Sequence, residues 1–292
     1  MSAITERLRG LIPAVPVPFS GATLNTTAQS AYATWMARQQ IAGVAIWAHT
    51  GRGRHLSADQ RRAVLETWRE ALPDRVVVAG VHDLTTAIEA RRGHADALLV
   101  YPERDDPVAH HARISRELPV ILFYLYASAG GVDYDDVTLH ALLDLPNVVG
   151  IKVATLDSVM TYQRIASIVQ QHPGKLLITG EDRFLGYSLL MGAEAALVGM
   201  GAALTQMQAD LLAAARDRRW NDFVPLAARC DAFAQATFVE PLEGYIRRML
   251  WAAAAEGAIP GDACDDPWGP ELAAGERDAV VRAVADARAA GS

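Results

Sequence analysis

Cysteine is scarce in this chain, and its scarcity excludes two classes of protein. The 292 residues contain only Cys230 and Cys264, which form neither a CxxC motif nor a spacing typical of metal ligands. A disulfide framework and a zinc site are therefore not expected. The sequence also lacks any run of about 18 apolar residues, and its first segment, MSAITERLRG, has no apolar signal core. We expect a soluble, cytoplasmic protein with no membrane association.

Clusters of basic residues are absent as well. The net charge is −7 and the sequence pI is about 5.6, and lysines and arginines form no stripe. A nucleic acid or an anionic membrane is therefore not an expected partner. Arg52, Arg54 and the pairs at 61–62 and 91–92 are scattered and predicted to be solvated. What is present, 51% hydrophobic and 21% charged residues, is enough for a large globular core.

Short apolar segments alternate with longer segments of helical periodicity along most of the chain. The amphipathic segment 57–71 opens with Ser57 as a candidate N-cap and places Val64, Leu65 and Trp68 on one face. Eight strand candidates are apolar throughout, which is typical of strands buried on both faces of a parallel sheet. These candidates lie at 11–17, 43–47, 75–80, 96–101, 119–124, 148–152, 176–180 and 195–199.

This alternation predicts the fold class. Eight β–α units in roughly 215 residues fit a (β/α)8 TIM barrel. A doubly wound open sheet is the alternative, but VPVPFSGATL after the first strand lacks the glycine-rich turn of that fold. We therefore predict a barrel over 1–215 that carries the active site, followed by a helical extension over 216–292. Helical periodicity further predicts helices at 155–171, 221–256 and 271–289.

Lys152 ends the sixth strand candidate, in the segment VVGIKVAT. Lysine is rarely buried, but catalytic groups of such barrels lie at the C-terminal ends of the strands. An unprotonated amine there adds to a ketone and loses water, and the resulting iminium accepts electrons from a breaking bond. The apolar neighbours Val149, Ile151 and Val153 disfavour the ammonium form. We interpret Lys152 as a nucleophile rather than a surface lysine.

Other polar side chains are expected at the same end of the barrel. They are His49, Thr50, His82, Asp83, Tyr101, Tyr124, Tyr126, Glu181 and Asp182. Glu181 and Asp182 are candidate metal ligands, but no further acidic ligand follows the neighbouring strands, so no metal is predicted. The iminium itself serves as the electron sink, and no organic cofactor is expected either.

Four segments together resemble the dihydrodipicolinate synthase/N-acetylneuraminate lyase family of class I, Schiff-base aldolases and dehydratases. They are LIPAVPVPFS, AHTGRGRHLS, NVVGIKVAT and GEDRFLGYSLLMGAEAALVG, in the family's order and over nearly the whole chain. The resemblance implies a TIM barrel with a C-terminal helical extension. It also implies a lyase that acts on pyruvate or another 2-oxo acid, and a homo-oligomer, tetramer or dimer.

The resemblance assigns roles to individual residues. Lys152 matches the Schiff-base lysine, and Thr50 matches the second threonine of a pair that holds the substrate's carboxylate, with Gly51 allowing close approach of the loop. The first threonine, part of a proton relay, is His49 here, and a glutamate of the same loop is Arg52. Histidine is suited to acid–base work because its charge ordinarily changes between pH 5 and 8. Packing beside Trp47 is the alternative role of His49.

The catalytic tyrosine of the family has two candidate positions. Counting from Pro119 places Phe123 there, whereas counting back from Lys152 places Tyr124 there, with one extra residue in the strand. Side chains alternate along a strand, so only one of the two faces the barrel interior. We predict Tyr124, and a core tyrosine with a bonded hydroxyl is the alternative.

Two departures separate this chain from the synthase itself. Its tyrosine pair after the fourth strand is replaced by Glu103 and Arg104, and its arginine for the aldehyde's carboxylate by Ser128 or Ala129. We therefore expect a lyase, aldolase or dehydratase, that is not a typical dihydrodipicolinate synthase. A catalytically silent 2-oxo-acid-binding member of the fold is the alternative.

Overall fold

A computed structural model describes residues 3–290 and contains eight parallel strands that form one sheet. The strands are β1 Gly10–Pro13, β2 Gly43–Ile46, β3 Val76–Val81, β4 Ala97–Val100, β5 Val120–Leu125, β6 Val148–Ala154, β7 Leu176–Thr179 and β8 Ala195–Val198. Neighbours in sequence pair in the sheet from β2 to β8, and β8 pairs with β1. A bridge between Ala14 and Ala45 joins β1 to β2 and closes the barrel. The predicted (β/α)8 fold and all eight strands are confirmed.

The strands form where they do because both of their faces are covered. Every residue of β6 is buried, including Lys152, and so is every residue of β3 and β5. One face of each strand packs in the barrel interior and the other packs against the surrounding helices. A continuous apolar segment is the sequence pattern that this double burial requires.

Eight helices follow the strands around the barrel. They are α1 Thr26–Met36, α2 Ala58–Ala71, α3 Leu84–Arg92, α4 Pro107–Ile114, α5 Asp136–Leu143, α6 Val159–Val169, α7 Leu185–Leu190 and α8 Thr205–Arg216. In α2, Ser57 is the N-cap in a capping box with Gln60, and Val64, Leu65 and Trp68 are buried. The prediction for this helix is confirmed.

Helix α6 begins later than its periodicity predicts. The predicted segment opens at 155, but the N-cap is Ser158, and Val159 is 38% exposed rather than packed. The Glu181 carboxylate accepts hydrogen bonds from the backbone N–H groups of Thr155 and Leu156, at 2.6 and 2.8 Å. Because these two groups bind a side chain from the next strand end, the residues from 155 to 157 form a loop at the barrel mouth.

The C-terminal extension contains three helices, α9 Trp220–Thr237, α10 Tyr245–Ala255 and α11 Glu276–Ala289. The predicted single helix over 221–256 is interrupted at 238–244, which we call the capping loop. Fully buried Arg248 holds this loop, because its guanidinium donates to the Val239 carbonyl at 2.7 Å and to Glu276 of α11 at 2.7 Å. Within residues 3–290, no helix is long and apolar enough to cross a membrane.

Candidate active site

Lys152 lies in a cavity at the C-terminal end of the barrel. It is 5% exposed, and its Nζ atom is 4.2 Å from the centroid of the Phe123 ring. A side chain at Gly180 would approach the Lys152 Cε atom to 2.5 Å, so glycine makes room for the lysine there. Burial lowers the pKa of Lys152 below the usual value, and the negative charges of Asp182 and Glu181 oppose this shift only in part. The cavity thus favours the neutral amine.

The pairing of β5 with β6 decides which residue lies beside the lysine. Phe123 pairs with Lys152 and Tyr124 with Val153, so Phe123 shares the inward face of the lysine. The extra residue of the pairing lies in β6, between Val148 and Gly150, and not at the site end of β5. The sequence predicted Tyr124 beside Lys152. The structure instead places Phe123 there.

The Tyr124 side chain points towards the helices. Its hydroxyl donates to Asp133 and lies 3.4 Å from an Nη atom of Arg164. The tyrosine that lines the lysine cavity is Tyr126, which follows the end of β5. Burial raises the pKa of Tyr126 above its usual value, so its hydroxyl keeps its proton and acts as a donor.

Thr50 and Gly51 occupy the loop after β2. The Thr50 hydroxyl is buried in the cavity of Lys152 and lies 2.9 Å from the Tyr245 hydroxyl. A Cβ atom on Gly51 would lie 3.0 Å from the Val15 carbonyl oxygen, so this position requires the close approach that glycine permits. The structure brings Thr50 and Lys152 together in one cavity, and Gly51 packs against the backbone of Val15 and Trp47.

His49 also lines the cavity, and its partner comes from the capping loop. Its Nε2 atom lies 2.9 and 3.1 Å from the two carboxylate oxygens of Glu243. The Tyr126 hydroxyl donates to the same carboxylate at 3.1 Å. The His49 ring stacks on Tyr245, with 6.3 Å between ring centroids. The structure therefore brings His49 to the predicted site and gives it a charged partner.

Arg52 fixes Glu243 from the other side. Its guanidinium donates to the Glu243 carboxylate at 2.9 Å and makes two bonds to Asp266, at 3.1 and 2.7 Å. The side chain is only 8% exposed, which corrects the prediction that Arg52 is solvated. Arg52 adopts a left-handed backbone conformation with φ of 51°, as does Trp47 with φ of 54°. Such conformations cluster at sites whose geometry is imposed by the surroundings.

The two acidic residues after β7 accept hydrogen bonds from backbone groups of neighbouring loops. Asp182 lines the lysine cavity and accepts the Met200 N–H at 2.6 Å. Burial raises the pKa of Glu181 to about 7, although the N–H groups of Thr155 and Leu156 oppose the shift. Among the residues that the structure describes, no group of three or more histidine, cysteine or acidic side chains is arranged to hold a metal ion.

The sequence profile of the Dihydrodipicolinate synthetase family matches residues 7–287. The chain belongs to this family. The 4-hydroxy-tetrahydrodipicolinate synthase of Rhodopseudomonas palustris (strain BisA53) is 26% identical over 256 residues, covering 82% of this chain and 84% of the relative. The resemblance inferred from the sequence is confirmed.

Two solved structures are similar in fold to this member of the family. N-acetylneuraminate lyase from Mycoplasma synoviae has a TM-score of 0.79 at 19% identity, covering 97% of this chain and 98% of that chain. YagE, a prophage protein from E. coli K12 in complex with pyruvate, has a TM-score of 0.85 at 19% identity, covering 96% of this chain and 98% of that chain. The family's members are lyases, and the chain has their barrel.

Sequence reasoning missed the part of the site that this family member builds from its extension. Phe238, Leu242 and Tyr245 line the lysine cavity, and Glu243 bonds to His49. Nothing local in LEGY marks these residues, because their partners lie almost 200 positions earlier in the chain. The one available signal was the interruption of helical periodicity by Pro241, which indicates a loop.

Proposed function

We propose that this protein is a class I lyase that acts on pyruvate or another 2-oxo acid through a Schiff base at Lys152. The observation that carries the proposal is a buried lysine whose Nζ atom has no ion pair within residues 3–290 and whose pKa is lowered by burial. Such an amine is unprotonated often enough near neutral pH to attack a ketone. A solvated lysine would be almost wholly charged.

The first step forms the C=N bond. The Lys152 nitrogen adds to the C2 carbonyl carbon of the 2-oxo acid, and the carbinolamine then loses water, with the nitrogen's remaining lone pair forming the double bond. The iminium accepts the electron pair of a breaking C3–H or C3–C4 bond and becomes an enamine. In dehydration, the enamine electrons then re-form the iminium as the C4–O bond breaks, and the oxygen leaves with its electron pair and a proton as water. Aldol cleavage, aldol addition and dehydration of a deoxy sugar acid share this intermediate.

Thr50 and His49 have separate roles in this proposal. Thr50 and the backbone of its loop bind the substrate's carboxylate, opposite the buried lysine. His49 accepts and returns protons, because Phe123 carries no hydroxyl and Tyr124 points away. Tyr124 is therefore not part of the proposed mechanism, although the sequence favoured it.

The space beyond the lysine suits a polar fragment. A wider cavity of about 710 Å³ shares Leu125, Tyr126 and Leu156 with the lysine cavity. Hydroxyl and charged side chains line it, among them Tyr124, Ser128, Asp133, Thr155, Asp157, Ser158, Thr161, Arg183 and Glu240. We propose that the second reactant, or the leaving fragment, is a hydroxylated compound held there.

Borohydride trapping tests the proposal. Reducing the protein in the presence of pyruvate should fix a covalent adduct on Lys152, located by peptide mass spectrometry. Lys175 is the only other lysine in the sequence, and its Nζ atom donates to two backbone carbonyls, so it serves as the internal control. An adduct on Lys152 and not on Lys175 supports the proposal. No adduct with pyruvate or with a panel of 2-oxo acids contradicts it.

The second candidate is a 2-oxo-acid-binding protein without turnover. The observation that favours it is Phe123, which replaces a tyrosine hydroxyl with an apolar ring beside the lysine. Calorimetric binding of pyruvate without any trapped adduct is the result that this candidate predicts. A cytoplasmic location and a homo-oligomer, tetramer or dimer, stay predictions, and light scattering measures the assembly.

A further inference from the structure

We infer that Glu243 of the capping loop is a positioning residue that orients His49 as the proton-transfer group of this site. The inference rests on the proposed function, because it concerns the proton that leaves the substrate after the iminium has formed on Lys152. It assigns part of the reaction machinery to the C-terminal extension, outside the barrel that carries the lysine.

The geometry of the pair is specific. The His49 Nε2 atom lies within 3.1 Å of both oxygens of Glu243, and a carboxylate only accepts hydrogen bonds, so Nε2 is the donor. In the neutral ring the other nitrogen, Nδ1, is then the one free to accept a proton. Stacking on Tyr245 and an edge contact with Tyr126 restrict the plane of the ring. The arrangement therefore selects one tautomer and one orientation.

Glu243 itself is held in its charged form. Burial acts to raise the pKa of this carboxyl, but the hydrogen bond from His49 and the charge of Arg52 bring the pKa down to about 2. Asp266 in turn binds the Arg52 guanidinium through two bonds and is 3% exposed. Asp266 thus binds Arg52, Arg52 binds Glu243, and Glu243 binds the His49 imidazole.

The pair of His49 and Glu243 supplies the proton transfer that Phe123, which carries no hydroxyl, cannot perform. A C–H bond at C3 of the iminium breaks, its electron pair moves to form the enamine, and the proton goes to the imidazole. The resulting imidazolium is stabilised by the Glu243 carboxylate, and it returns the proton when the enamine reacts. A carboxylate that orients a histidine and stabilises its charged form is a recurrent way of making an imidazole an effective base.

Exchange of the pyruvate methyl protons with solvent measures this step without the natural second substrate. The exchange needs the iminium and a base, and NMR follows it in D2O. We expect Glu243→Gln to slow the exchange by about 10²-fold, the lower end of the range for losing acid–base catalysis. Borohydride trapping on Lys152 should persist, because Glu243 does not contact the lysine. Glu243→Asp should recover part of the rate.

Two comparisons separate positioning from structural support. If Glu243 acts through His49, the double variant Glu243→Gln/His49→Asn exchanges no more slowly than His49→Asn alone, because the two residues form one unit. The exposed Glu271 lies in the same extension, and Glu271→Gln should leave exchange unchanged.

Glu243→Gln should also alter the pH dependence of exchange. The groups facing the pair are Arg52, His55, Tyr126 and Tyr245, and the charge of Asp182 acts on the two tyrosines.

The outcomes are distinguishable from failure of the Schiff-base proposal. Trapping on Lys152 with unimpaired exchange in Glu243→Gln overturns the positioning role and leaves the lyase proposal intact. Losses that multiply in the double variant also overturn it, because Glu243 would then act independently of His49. If Glu243→Gln does not fold, the shorter carboxylate of Glu243→Asp, alone and combined with His49→Asn, provides the comparison. No trapping in the unmodified protein would instead overturn the lyase proposal itself.

Discussion

Lys152 illustrates how neighbouring residues set the chemistry of one side chain. Its stem passes Gly180, its ammonium would face the Phe123 ring, and the two carboxylates after β7 moderate the cost of burial. Arginine cannot replace it, because a guanidinium keeps its proton and forms no iminium. We expect both Lys152→Ala and Lys152→Arg to abolish methyl exchange and trapping with pyruvate. Exchange retained by either variant would show that the lysine is not the nucleophile.

His49 stands where the family resemblance implies a threonine. A hydroxyl passes a proton on without changing its charge, whereas an imidazole holds the proton. We expect His49→Asn to lower turnover by about 10²–10⁴-fold and to remove one limb of the pH–rate profile. Trapping on Lys152 should persist in this variant. An unchanged profile with intact turnover would reduce His49 to packing beside Trp47.

At the scale of single residues, the sequence was informative only where the signal was local. Lys152 was predicted because a charged residue stands inside an apolar strand. Arg52 was assigned to solvent because its partner, Asp266, lies 214 positions away and nothing in the loop announces it. Tyr124 was favoured over Phe123 because the position of the extra residue, in β6 rather than β5, depends on strand pairing and not on composition.

Helix α4 shows the same limit for a whole element. The helix carries two adjacent histidines, His110 and His111, and nothing local in the sequence marks either as buried. His111 is nevertheless 1% exposed, and its Nδ1 atom lies 2.7 Å from the Pro107 carbonyl oxygen. Burial lowers the pKa of His111 to about 4, and the hydrogen bond to Pro107 opposes this only in part. The face that a short helix turns inward is decided by the strands that it covers.

This burial makes the stability of the protein depend on pH. In the unfolded chain a histidine binds a proton at about pH 6.5, whereas in the folded chain His111 does so only near pH 4. Its contribution is present above pH 6.5 and is lost as the pH falls towards 4. We therefore expect protonation of His111 to make the free energy of unfolding about 2 kcal/mol lower at pH 5 than at pH 7.

Urea unfolding at the two pH values checks this prediction. The variant His111→Gln should lose this part of the pH dependence, whatever its stability at pH 7. The exposed His94 provides the control, and His94→Asn should keep the full dependence. A His111→Gln variant with the same pH dependence as the unmodified protein would contradict the assignment.

At the scale of the whole molecule, the barrel was predictable and the composition of its mouth was not. Eight apolar segments at regular intervals determine the number and order of the strands. The extension was also predicted, as a helical appendage, but its capping loop contributes Leu242 and Glu243 to the site, and Tyr245 at the start of α10 joins them. Contacts between distant segments form only in the folded chain and leave no periodic pattern in the sequence.

The residues that follow β4 and β5 argue against dihydrodipicolinate synthase activity. The loop after β5 carries Ser128 and Ala129 in a 3-10 turn, and Glu103 and Arg104 follow β4. The family resemblance implies a tyrosine pair and an arginine at these positions in the synthase, and this chain has neither there. We expect no appreciable condensation of pyruvate with aspartate semialdehyde, although pyruvate is trapped on Lys152. Efficient product formation in a coupled assay would overturn this expectation.

The position of the capping loop has a consequence during synthesis on the ribosome. Thr50 and Lys152 are synthesised before Glu243, Tyr245 and Asp266, which follow Lys152 by more than 90 positions. Domains fold from the N-terminus as they emerge, so a barrel can close around Lys152 before the group that orients His49 exists. In the proposed mechanism, a nascent chain therefore holds the amine and an unoriented His49, which suffices for Schiff-base formation, and efficient proton transfer begins only after the capping loop has been synthesised.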